Sequence, residues 1–172
     1  QSVAKLLNGT HVELSKTRGI HRVVATDNST NIQVDFTSSY EGIYFDLADR
    51  DFTINAIALP INQNTISQHF QISDIIDPFD GITDINNKVL RMTSPRSFAS
   101  DPVRLLRAIR LRQQLELDID HTTSKQMGSD ATRLTTSSWE RIRNEFLDII
   151  AQDNAANALK ILDSHNLLGQ II

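Results

Sequence analysis

Four charged residues recur at every third position near residue 100: Asp101, Arg104, Arg107 and Arg110. On a helix that spacing makes one row, because side chains three apart are neighbours. A carboxylate and a guanidinium one turn apart form an acceptor–donor pair. The acceptor suits an exocyclic amine and the donor suits a ring nitrogen. Cytosine offers that edge with N4 and N3, and adenine with N6 and N1, whereas guanine and uracil place a carbonyl and an N–H there and would be repelled. Arg107 and Arg110 could reach phosphates bidentately. The same row also fits an intrahelical Asp101–Arg104 pair with the other arginines in solvent, an arrangement worth little energy.

A second charged group, Asp46, Asp49, Arg50 and Asp51, stands directly against the apolar stretch FTINAIAL. Such charges either cap a core element or hold a ligand at its mouth, with Arg50 and Asn55 facing that ligand. Ile54, Ala56, Ile57 and Leu59 would anchor the segment. Asp35 lies in mid-strand, opposite an apolar face. It is either a solvent-facing strand residue or one carboxylate of a metal pair that activates a hydroxyl and stabilises a leaving pyrophosphate. That chemistry needs two or three converging carboxylates, and Asp35 stands alone. Asp74, Asp77, Asp80 and Asp84 recur in DIIDPFDGITD but lack the ligand ladder of a calcium loop, so they read as a turn shaped by Pro78 and Gly81. No Gly-rich phosphate loop, HExxH or Ser/His/Asp motif stands out, and the five histidines show no ligand spacing.

The elements that must position these residues divide the chain into a β-rich and a helical part. HVEL, IHRVVAT and NIQVDFT alternate with period two. In the last of these Ile32, Val34 and Phe36 share one face and Gln33, Asp35 and Thr37 the other. The polar cluster between the second and third strands predicts a hairpin. FTINAIAL is expected to start with a turn capped by Asp51 or Thr53, and TISQHF and ISDIID read as short strands. Ser100-Asp101-Pro102 is a helix start with a capping side chain and Pro in the first turn, and Leu105, Leu106, Ala108 and Ile109 give that helix its apolar side. Ser137-Ser138-Trp139-Glu140 predicts a capping box, with Trp139, Ile142, Phe146 and Ile149 as the buried stripe of the next helix. A third helix runs from about Asn154 to Asp163.

The 172 residues carry a net charge of −4, with 40% hydrophobic and 22% charged residues, a globular composition. Residues 1–93 hold 7 basic against 11 acidic residues, and residues 94–172 hold 10 of each. An arginine cluster can therefore face an anion within an acidic protein. The absence of Cys excludes disulfides and Cys-ligated zinc and suits a reducing cytoplasm. No run of 18 apolar residues predicts a membrane span.

Four ordered blocks, DLADRDFTINAIAL, IIDPFDGITDINNKVLRM, FASDPVRLLRAIRL and SSWERIRNEF, resemble the class II nucleotidyltransferases, comprising the tRNA CCA-adding enzymes and bacterial poly(A) polymerases. The resemblance covers about residues 8–172. It implies an α+β fold: a partial nucleotidyltransferase (polymerase-β-like) head with a mixed sheet over residues 1–93, then an all-helical neck over 94–172. It also implies ATP and CTP as substrates, Mg²⁺, and addition of CMP and AMP to the 3′ end of tRNA. By position, Arg50 is similar to the family's nucleotide-binding arginine, and Asp51 and Asn55 belong to its ribose-contacting block. Asp101 and Arg104 resemble the amino-acid template that reads the base. Arg107 and Arg110 resemble further nucleotide contacts, Asp35 the third catalytic carboxylate, and Arg141 a supporting arginine of the neck.

Asp49 and Ser100 depart from an arginine and an acidic residue common in the family at those places. The family's Gly-Gly turn and Asp-x-Asp pair have no counterpart in these residues, and its body and tail would follow Ile172. The sequence is therefore expected to be the head-to-neck portion of a longer enzyme, inactive alone. The alternatives are a poly(A) polymerase and a non-catalytic nucleotide- or RNA-binding module.

Overall fold

The structure is a computed structural model that describes residues 2–17, 19–27, 30–39, 41–62 and 70–172. By compactness the chain divides into two units, residues 1–42 and 43–172.

The first unit begins with a one-turn helix, α1 (Ser2–Leu6), followed by strands β1 (Thr10–Ser15), β2 (Ile20–Asp27) and β3 (Thr30–Thr37). They form an antiparallel sheet in the order β1-β2-β3. Pairing of β2 with β3 runs without a break from Ile20 opposite Thr37 to Asp27 opposite Thr30. Alternation sets this register, because a one-residue slip would turn Val23 and Ala25, both buried, to the other face. Ile32 and Val34 are half-buried, and Gln33, Asp35 and Thr37 are exposed, as the alternation predicts, whereas Phe36, the third residue of the apolar face, is 40% exposed. Gly9 is needed where β1 begins, since a Cβ there would lie 2.5 Å from the Val24 carbonyl oxygen.

The second unit is mostly helical. It contains α2 (Ile43–Ala48), a 3₁₀ turn at Thr53–Asn55, another at Ile72–Asp74, α3 (Gly81–Asn86), β4 (Val89–Leu90) and α4 (Ser97–Ser100). These are followed by α5 (Arg104–Leu115), β5 (Asp118–Ile119), α6 (His121–Asp130), a 3₁₀ segment Ala131–Thr136, α7 (Trp139–Ile150) and α8 (Ala155–Ser164). Strands β4 and β5 form a parallel two-residue ladder, Val89 opposite Asp118 and Leu90 opposite Ile119. The core is built on α5, whose Leu105, Leu106, Ala108 and Ile109 are 0–1% exposed, together with Phe52, Phe98, Met127, Leu134, Ile149 and Leu162. Truncating Leu105 or Leu106 to Ala in such a setting costs about 2–5 kcal/mol. This helix fixes the orientation of the arginine row on its other side.

Several local expectations are corrected. ISDIID is not a strand: Gln71 and Asp74 bond reciprocally in a capping box that winds Ile72–Asp74 into a 3₁₀ turn, and Ile76 alone bridges to Ala58. TISQHF lies almost wholly outside the described residues. DIIDPFDGITD is more than a turn. The Asp77 carboxylate accepts from the N–H groups of Gly81 and Ile82 at 2.7 and 2.9 Å and starts α3. Gly81 is required there, because a Cβ would stand 2.2 Å from the Thr53 carbonyl oxygen. Trp139 is not core. It occupies the first turn of α7 and is 60% exposed, while Ile142 and Ile149 are buried as expected. Ser138 makes no capping bond, so the predicted capping box is absent.

Candidate nucleotide-recognition site

The residues singled out in the second unit converge around the start of α5, but most of their polar atoms are already used. Asp51 is 6% exposed. Its Oδ1 accepts from the Phe52 N–H at 2.8 Å and from Asn55 Nδ2 at 3.0 Å, and its Oδ2 accepts from Arg107 Nη1 at 3.2 Å. Its backbone carbonyl accepts from Ser97 Oγ at 3.0 Å. The expected cap at Thr53–Asn55 is therefore not a helix cap: the N-cap residue is Phe52, and Asp51 instead ties the turn to α5. Of the apolar anchors, Ala56 is buried and Ile54 packs on the core, whereas Leu59 is 36% exposed and anchors little.

Arg50 folds back one turn onto Asp46, with Nε and Nη2 at 3.1 and 2.6 Å from Oδ2, and its side chain is half exposed. Arg104 makes neither a pair with Asp101 nor a solvated side chain. Its Nη2 donates to the Asp49 carbonyl at 2.6 Å, and its Nη1 lies 3.2–3.3 Å from Ser97 O, Ser97 Oγ and Ser100 Oγ. Asp101 does not cap α5 through its side chain, although its backbone carbonyl accepts from the Arg104 N–H. Its Oδ2 accepts from Arg141 Nη2 at 2.7 Å. Burial pushes the Asp101 carboxyl up, but the Arg141 bond and the charges of Arg141, Arg104 and Arg107 outweigh it and hold the group below its usual value.

Glu145 on α7 was not singled out by sequence reasoning, yet it organises the row. Its side chain is 12% exposed, and its two oxygens accept separately from Arg107 Nε at 3.2 Å and Arg110 Nε at 2.7 Å. Arg110 Nη1 also donates to Gln114 at 3.0 Å. Burial pulls the Arg107 pKa down, but Glu145 and Asp51 raise it above the ordinary value. Arginines at three-residue spacing on a helix with an apolar back needed acidic partners on a neighbouring element. The two glutamates of ERIRNEF were the available signal.

What remains for a ligand is narrower than the sequence suggested. Among the described residues, the Asp101 Oδ1 and the Arg104 Nε–H carry no hydrogen bond, so one acceptor and one donor stay available on two braced side chains. Asp35 lies in the other unit. Both of its oxygens accept from Arg22, directly opposite in the register, at 2.7 and 2.8 Å, and this bond holds the Asp35 carboxyl below its usual value. Among the described residues no group of three or more His, Asp or Glu side chains is placed to hold a metal ion. These donors do not make up the Mg²⁺ site that the resemblance implies. Among the described residues no helix is long and apolar enough to cross a membrane.

Comparison with known proteins agrees with this architecture. Residues 1–91, more than half of the chain, match the family model described as "Poly A polymerase head domain", and the chain belongs to that family. Residues 116–172 match a second one, "Probable RNA and SrmB- binding site of polymerase A". The A-adding tRNA nucleotidyltransferase of Deinococcus radiodurans is 32% identical over 98% of this chain and 37% of its own length. The CC-adding tRNA nucleotidyltransferase of Geobacter sulfurreducens is 34% identical over 87% of this chain and 33% of its own. A solved tRNA-processing enzyme with CTP superposes with a TM-score of 0.81 at 26% identity, over 99% of this chain and 45% of that one. The chain thus spans about a third of the length of these curated relatives. The resemblance read from the four blocks and the α+β class are both borne out.

Proposed function

We propose that these residues are the nucleotide-selecting portion of a tRNA nucleotidyltransferase that adds CMP, AMP or both to the 3′ end of tRNA in the cytoplasm. The observation that carries this reading is the placement of Asp101 and Arg104, three residues apart, at the start of α5. Each is fixed by a different scaffold partner, and each keeps one uncommitted polar atom. An acceptor and a donor so held suit the amine and ring nitrogen of cytosine or adenine. The tRNA nucleotidyltransferases among the relatives and the CTP-bound structure support the same class of ligand.

Within this reading the nucleotide-selecting neck begins near residue 94. Arg50 and Asn55 contact the nucleotide, and Asp51, Arg107 and Arg110 position the site through the Glu145 network. Asp35 is a candidate third carboxylate of the intact enzyme, on condition that Arg22 gives up its two oxygens. Among the described residues no group of three or more acidic or His side chains gathers as a metal site, and in this reading the 172 residues alone bind nucleotide weakly and do not transfer it, with Mg²⁺ a requirement of the intact enzyme. The test is incorporation of CMP and AMP by the intact parent into tRNA lacking its 3′ end. Addition of one to three nucleotides supports the reading. A long A tail would assign poly(A) polymerase activity, and a parent that extends nothing would leave a binding module.

A further inference from the structure

Two imidazoles ten residues apart in sequence meet across the β1–β2 ladder. His11 Nε2 and His21 Nδ1 lie 3.1 Å apart, with ring centroids separated by 5.1 Å and ring planes inclined by 30°. The register accounts for the meeting. His11 pairs with Val23 and Glu13 pairs with His21, so His11 and His21 are diagonal neighbours on one face and Glu13 stands directly opposite His21. The three side chains line a cavity of about 510 Å³ with Val3, Val23 and Phe36.

We propose that His11 and His21 bind a divalent transition-metal ion of the Zn²⁺, Co²⁺ or Ni²⁺ class. Neutral imidazole is the commonest protein ligand for such ions. At metal–nitrogen distances of about 2.0–2.1 Å, two nitrogens 3.1 Å apart subtend roughly 100° at the metal, between the square-planar and tetrahedral angles. The two nitrogens now share one hydrogen bond. Binding of the ion to both nitrogens moves that proton to the other nitrogen of the same ring. Rotation of the rings then turns both lone pairs from each other to a common point in the cavity. Glu13 brings a negative charge to the same cavity, and water completes the coordination. Mg²⁺, which prefers six oxygens in octahedral array, is not suited to the pair. Sequence spacing hid the site because the ladder, not the local chain, brings the rings together. It uses none of the nucleotide-selecting residues, so its test stands apart from the proposed function.

The experiment is titration of the 172-residue chain with Zn²⁺ at pH 7.5, followed by calorimetry and by imidazole ¹⁵N–¹H correlation spectra. One ion per chain is expected, with the signals of His11 and His21 shifting together and those of His121 and His165 unmoved. H11Q and H21Q should each weaken binding at least about tenfold, the scale seen even for outer-shell groups of metal sites, while H121Q binds as the native chain does. Mg²⁺ at the same concentration should shift neither signal. Absence of saturable binding, native affinity in the H11Q/H21Q double variant, or shifts confined to other histidines would each overturn the proposal. The spectra of the native chain decide the matter if the variants misfold.

Discussion

The two compact units put an Asp–Arg pair to opposite uses. In residues 1–42, Arg22 and Asp35 face each other across β2 and β3, with side chains 35% and 48% exposed. In residues 43–172, the side chains of Asp51 and Glu145 are buried or nearly so and divide their oxygens between Arg107, Arg110, the Asn55 amide and the Phe52 N–H. The exposed pair's bonds, 2.7 and 2.8 Å, are no longer than the 2.7–3.2 Å of the network, and the surroundings differ. Water and salt screen the first pair, so it adds little to stability. In the second network the carboxylates of Asp51 and Glu145 lie largely out of water, so loss of an arginine leaves them short of a partner. A charged residue in a candidate site speaks for function only after its internal partners are subtracted. By that measure Asp51 and Arg107 belong to the scaffold, and Asp101 and Arg104 retain atoms for a ligand.

The contrast can be broken or sharpened by substitution, from the largest effect down. Glu145→Ala leaves Arg107 and Arg110 without their shared acceptor. Because those side chains are 34% and 20% exposed, the cost is about 2–3 kcal/mol rather than that of a fully buried pair, read as a lower urea midpoint. Gly81→Ala drives a Cβ into the Thr53 carbonyl and should cost about 1–3 kcal/mol. An unchanged midpoint there would mean that α3 does not press on the Thr53–Asn55 turn.

Asp101→Asn tests the bond to Arg141. The folded carboxyl titrates below its usual value, so its contribution is complete above the unfolded pKa of about 3.9 and is lost as pH falls through the folded value. The stability difference between native and variant should therefore be flat from about pH 7 to pH 5 and shrink below about pH 4. A difference that persists unchanged at pH 3 would place the Arg141 bond elsewhere. Smallest of all, Arg22→Ala should leave the denaturation midpoint unmoved, and a large drop would erase the contrast between the units.

Much of this was legible before the structure. Strands β1–β3 follow from alternation, and α5, α7 and α8 from helical periodicity, although burial follows the pattern only in part: Val12, Leu14 and Phe36 are 40–47% exposed. Helix α6 was missed because HTTSKQMGSD is polar and buries only Thr123, Met127 and Asp130. Its signal was the start, where Asp120 accepts from the Thr123 N–H at 3.1 Å. Trp139 was misjudged because a periodic stripe does not say where a helix leaves the core. In the site, spacing placed Asp101, Arg104, Arg107 and Arg110 in one row, but it could not say which of them was spoken for. That depended on Glu145, Arg141 and the Asp49 carbonyl, partners separated by 35–55 residues in the chain.

In the function proposed above, Asp101 and Arg104 choose the base. The most direct measurement is the ratio of kcat/KM for CTP or ATP to that for GTP or UTP in the intact parent, with and without the D101A/R104A substitutions. A hydrogen-bonded base edge is worth about 1–3 kcal/mol of discrimination for each side chain that reads it. The ratio should therefore fall by at least about fivefold for each of the two side chains removed, in a protein that still folds. Selectivity unchanged in a folded, active double variant would contradict it.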